Sequence, residues 1–150
     1  MSPEVERVVH VLQAVTAPAV LVSGVGLLLL TMTNRLARAI DRARAIAREE
    51  RAPNPRPADV LRREARILLR RAAILRGAIT AGAASVLLVS VTIGLTFVAA
   101  ELDVRVEGWI LGSFGLALGA LVVALTLFIA DLTLALRALQ VEVEHLVQEP

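Results

Sequence analysis

Thirteen of the sixteen arginines lie between Asn34 and Arg76, and their guanidinium groups are this chain's main chemical resource. Each carries a fixed charge and a planar fork of donors that matches phosphate and carboxylate. Only Asp41, Glu49, Glu50, Asp59 and Glu64 oppose them in that stretch, leaving a net charge of +8. Such a cluster can hold anionic lipid headgroups or an acidic partner, or it can be a solvated helical face that marks the cytoplasmic side of a membrane. Nucleic acid is disfavoured, because no aromatic residue is interleaved for base stacking and no binding motif is present.

Other groups offer less. Asp131 ends an apolar run at the depth where Asn34, Arg35, Arg38 and Arg76 end theirs, so ion pairing at an inner membrane boundary is expected. Arg35, Arg38, Asp41, Arg42, Arg76 and Asp131 are the candidates for those pairs or for lipid contact. Gln13, Thr16, Ser23, Thr31, Asn34, Arg38, Asp41 and Arg42 fall within an arc of about 120° on one helix. Thr16, Val20, Ser23, Leu27, Thr31 and Asn34 are thus candidate pore-lining residues, with Val20 and Leu27 as apolar constrictions; interhelical hydrogen bonding is the other use of the stripe. Glu142, His145 and Glu149 share a face with Glu-x-x-His spacing, but bundle metal sites need a second such motif. No Ser-His-Asp grouping, phosphate-cradling glycine loop or paired intramembrane carboxylate is visible, and there is no cysteine. We therefore expect no enzyme, no metal and no cofactor.

The elements that must position these residues are helices in lipid. Hydrophobic residues make up 57% of the chain and aromatics only 3%, an excess that a water-soluble core of this size does not require. Three uncharged windows, Val8 to Asn34, Gly77 to Ala100 and Gly108 to Ala130, each exceed the ~20 residues that a spanning helix needs. The first seven residues and the connection from Glu101 to Glu107, with Asp103 against Arg105, are net acidic. Positive-inside asymmetry then places the N-terminus outside and the C-terminus inside. The amino terminus lacks a basic region and is read as retained rather than cleaved.

Ser2, Pro3 and Glu4 suit a helix start, and Pro18 a kink, so residues 3–17 either lie in the interface or continue the first span. Beyond Asn34, Leu36, Ile40, Ala43 and Ala47 extend an apolar stripe into the cytoplasm. Pro53, Pro55 and Pro57 force a reversal. Leu61, Ala65, Leu68, Ala72 and Leu75 lead back into the second span, so residues 35–76 form a helical hairpin. Residues 131–147 continue the third helix, giving a stalk about 25 Å long. Gly108, Gly112, Gly115 and Gly119 fall at 4-3-4 spacing on the third helix, with Thr126 and Thr133 on the same line. Gly82 joins Ala78, Ser85, Thr92 and Thr96 on the second. These small-residue faces are candidates for close helix packing, within a subunit or between subunits.

Thr33, Asn34, Arg35, Leu36, Arg38, Asp41, Arg42 and Arg44, following Gly26 and the Leu27 to Leu30 run, carry a recognisable pattern. The string Asn-Arg-Leu-x-Arg-x-x-Asp-Arg-x-Arg resembles the bacterial membrane family known as domain of unknown function 2721. That resemblance implies a bacterial inner-membrane protein with three spans and a basic loop after the first. It lends no activity, substrate or catalytic residue.

The expected fold is all-α and integral to the membrane, three long transmembrane helices continuing into a cytoplasmic helical stalk within one domain. Three spans are too few to enclose a pathway alone, so a homo-oligomer forming an ion pore is the leading expectation. The competing one is a non-catalytic scaffold or regulatory subunit that holds anionic lipid or a protein partner through the arginine hairpin.

Overall fold

The computed structural model describes residues 3–53, 55–102 and 107–148. Side-chain surroundings are described for these except residues 3, 4, 7, 10, 11, 14, 15, 17, 101, 102 and 137–148. Ser2, Asn54, Asp103, Arg105 and Glu149 fall outside, as do the side chains of Glu4, His10, Glu101, Glu142 and His145. Three helices account for almost everything else: α1 (Pro3–Glu49), α2 (Ala58–Leu102) and α3 (Glu107–Gln148). Each contains a stretch long and apolar enough to cross a membrane.

Local chemistry explains the breaks. Pro53, Pro55 and Pro57 lack the backbone N–H that a continuing helix would use. The Pro57 carbonyl instead accepts from the amides of Val60 (3.1 Å) and Leu61 (3.2 Å), which opens α2, and Asp59 sits in its first turn near the positive end of the helix dipole. Residues 3–17 are part of α1, which contains Pro18 without ending there.

Burial follows a seven-residue beat in all three helices. On α1 the buried residues are Val25, Met32, Ala39 and Ile46; on α2 Leu61, Leu75, Gly82 and Val89 interleave with Ala78, Ser85 and Thr92; on α3 they are Ala117, Ala124 and the carboxylate Asp131. This is the periodicity of knobs-into-holes packing. It corrects the stripe read on α1, since Ile40 and Ala47 are exposed while Ala39 and Ile46 are buried one residue earlier. One residue is about 100° of turn, enough to move a side chain off the seam.

Contacts divide the chain into two compact units, Met1–Leu30 with Thr80–Val123, and Thr31–Ile79 with Ala124–Pro150. In the first, α2 and α3 run antiparallel and approach closely through small residues. The Ser85 hydroxyl donates to the Ala117 carbonyl at 2.8 Å, and the Thr92 and Ser113 hydroxyls lie 2.8 Å apart. The α2 face of Gly82, Ser85 and Thr92 is therefore buried within one chain. In the second unit α1 and α2 are the antiparallel arms of the arginine-rich hairpin, joined by Arg42 to Glu64, and α3 lies against both.

Candidate functional site

The second unit is built around one carboxylate. Asp131 of α3 is completely buried, and both of its oxygens are used. Oδ2 accepts from Arg35 Nε (3.1 Å) and Nη2 (2.9 Å) on α1, while Oδ1 accepts from Arg71 Nε (3.1 Å) on α2. The Arg35 guanidinium also sits 5.8 Å from the centre of the Phe128 ring, within reach of a cation–π contact. One carboxylate thus ties three helices together at a single level. Among the described residues no buried side-chain polar atom lacks a partner.

Beside this trio, Arg35, Arg38, Ala39, Arg42, Leu68 and Arg71 line a pocket of about 240 Å³. Arg42 pairs with Glu64 at 2.7 Å, and Glu64 in turn accepts from Arg56 at 3.1 Å. Arg56 also embraces Glu49 with both Nε and Nη2, and this hydrogen bond holds the Glu49 carboxyl below its usual range. These pairs at the hairpin tip are solvent-exposed and contribute little to stability individually. Asp41 meets its helical neighbour Arg44, at 3.4 Å, and no other cation among the described residues. Arg38 is exposed and meets no carboxylate among the described residues. Asn34 and Arg76 are also exposed.

Of the residues grouped with Asp131 in the sequence, Arg35 makes the contact, and Arg71 is the partner that reading missed. Its signal was positional. Arg71 falls three residues after Leu68 and four before Leu75, on the same inward beat as Glu64 and Ala78.

The candidate pore stripe lies opposite the α1 seam. Thr16, Val20, Ser23, Leu27, Thr31 and Asn34 are all exposed in the protomer, Val20 and Leu27 by 68% and 70%. Thr16 donates to the Leu12 carbonyl (2.7 Å) and Ser23 to that of Ala19 (3.3 Å), so these hydroxyls are satisfied within their own helix. Gly82 is buried, whereas Gly108, Gly112, Gly115 and Gly119 are exposed with open space where a Cβ would stand. Gly108 and Gly112 floor an apolar groove of about 600 Å³, walled by Leu88, Val91 and Leu95 of α2 and by Trp109 and Leu116 of α3.

Among the described residues no group of His, Cys, Asp and Glu is arranged to hold a metal ion. Neither curated proteins nor solved structures give a match. A family model, described as "Protein of unknown function (DUF2721)", matches residues 15–141, which take in most of α1, all of α2 and most of α3, and the chain belongs to that family.

Proposed function

We propose that this protein is a non-catalytic, homo-oligomeric membrane scaffold, inserted in a bacterial inner membrane with its arginine hairpin in the cytoplasm and its N-terminus outside. The observation that carries the reading is the open glycine line of α3. Lipid gives helices no hydrophobic reason to associate, so association relies on close packing, and exposed glycines at 4-3-4 spacing are suited to it. Gly108 to Gly119 spans about 16 Å, several turns of helix. The groove above Gly108 and Gly112 is apolar and uncharged, and a helix of a second copy is the occupant proposed for it.

Topology has its own test. With cysteines introduced at Asn54 and Asp103, an impermeant thiol reagent applied to intact cells should label Asp103→Cys and leave Asn54→Cys untouched. The reverse pattern would invert the orientation.

The pore reading retains one favourable observation, the outward placement of the α1 stripe, which an oligomer with α1 at its axis would turn inward. Against it, the Thr16 and Ser23 hydroxyls donate their protons to carbonyls of their own helix. In nanodiscs the protein should elute as a multimer, and a strict monomer would remove both the assembly and the pore. In planar bilayers an oligomeric preparation should give no current, with or without Leu27→Ser. Current that rises on hydrating the Leu27 constriction would turn the scaffold into a channel.

A further inference from the structure

We propose that the pocket between α1 and α2 in the second unit is a phosphate-binding site, formed by Arg38 together with Arg35, Arg42 and Arg71. Four guanidinium groups line one cavity of about 240 Å³. A single water needs only about 10–15 Å³ of such space, so a tetrahedral oxyanion fits with solvent to spare. Among the described residues two carboxylates reach the lining, Asp131 through Arg35 and Arg71 and Glu64 through Arg42. Four formal positive charges against two negative leave an excess of +2, and Glu64 is further shared with Arg56. A phosphate monoester carries about −1.5 to −2 near neutral pH, which matches that excess.

Geometry adds to charge. Asp131 engages Arg35 through Nε and Nη2 and Arg71 through Nε alone, which fixes both guanidinium planes and leaves the Arg71 terminal nitrogens outside any described contact. A preorganised fork loses little freedom when it captures an oxyanion bidentately. Ala39 and Leu68 put apolar surface at the wall, where reduced solvent access strengthens the attraction. Arg62, Arg63, Arg66 and Arg70 are equally cationic and, like Arg38 and Arg42, exposed, but none of them lines this pocket.

A phosphate can arrive on a lipid headgroup or on a soluble compound, and the chemistry is shared. The pocket begins three residues after Met32, the last buried apolar residue before the arginines, so the lipid source is the one to test first. Neither source requires the assembly proposed above, and binding is scored per chain.

The full chain is placed in nanodiscs of phosphatidylcholine with a minor fraction of phosphatidic acid, and retained lipid is counted by native mass spectrometry. In a second arm, nanodiscs of phosphatidylcholine alone are titrated with inorganic phosphate at constant ionic strength, and thermal stabilisation is followed. The parent should retain phosphatidic acid saturably. Arg38→Gln should lower retention about tenfold, the size of a lost charged hydrogen bond, while Arg62→Gln changes it by no more than about twofold. Arg38→Lys, which keeps the charge but not the fork, should fall between. Arg38 touches no carboxylate among the described residues, so each variant should melt with the parent in phosphatidylcholine alone. Saturable stabilisation in the second arm only would assign the site to a soluble phosphate. Equal losses in Arg38→Gln and Arg62→Gln would reduce the effect to general surface charge and overturn the site, as would no saturable binding in either arm.

Discussion

Asp131→Asn is expected to destabilise the protomer by roughly 3 kcal/mol, near the lower end of what breaking a buried ion pair costs. The substitution nearly preserves shape but removes the charge that Arg35 and Arg71 share, leaving two guanidinium groups side by side. The Arg35 and Arg71 side chains are 21% and 20% exposed, so some hydration compensates, which is why the upper end of the range is not expected. Thermal unfolding followed by circular dichroism in a single detergent measures the effect. If Asp131→Asn melts with the parent, the carboxylate holds nothing together that solvent does not.

The same trio bears on register. Buried residues recur every seven positions along α1, α2 and α3, and many of them are alanine, glycine or leucine, so a slip of one heptad would bring similar residues into contact. A carboxylate that must meet two arginines on two other helices has one solution. Our hypothesis is that the trio specifies alignment more than it adds stability. Replacing all three together, Arg35→Met, Arg71→Met and Asp131→Leu, should then recover most of the stability lost in Asp131→Asn. Disulfide trapping between engineered cysteines on α1 and α3 would reveal whether that variant populates shifted pairings; a single pairing would leave the trio without a registry role.

Three long helices and a proline-broken reversal were legible because uncharged windows of that length suit a helix able to cross a membrane, and because Pro53, Pro55 and Pro57 cannot continue a helix. Which face of each helix turns inward was much less so. The outward faces carry large apolar residues as well, among them Val20, Leu27, Leu87 and Leu111, so hydrophobicity alone does not mark the seam. On α1 Ile40 looks the better core residue than Ala39, yet Ala39 is the buried one, because it keeps the seven-residue phase of Val25, Met32 and Ile46. On α3 the glycines drew attention as the packing face, whereas α2 packs on Ser113 and Ala117, members of a quieter Ala117–Ala124–Asp131 heptad. Asp131 itself stood out as a lone carboxylate at the end of an apolar run. Arg71 did not, because thirteen arginines in one stretch look alike until the heptad phase separates the one on α2 that meets Asp131.

Two leucine substitutions five residues apart on α3 should therefore behave as opposites. Ala117→Leu puts three additional carbon atoms where Ser85 closes on the Ala117 carbonyl at 2.8 Å, and Ala117 has no exposed surface through which to escape. Overpacking of this kind costs about 1–3 kcal/mol, and losing the Ser85 hydrogen bond adds roughly 1 more. The protomer should melt well below the parent, and any oligomer should dissociate as a consequence. Gly112→Leu meets nothing within 4 Å of its new Cβ and replaces a poor helix former with a good one, so the protomer should melt at or slightly above the parent. Its side chain instead occupies the apolar groove. Under the assembly proposed here, Gly112→Leu alone should give an intact monomer in nanodiscs, resolved from the parent by mass photometry. A Gly112→Leu protein that still assembles would assign the glycine line to lipid and require the scaffold to be joined through another face.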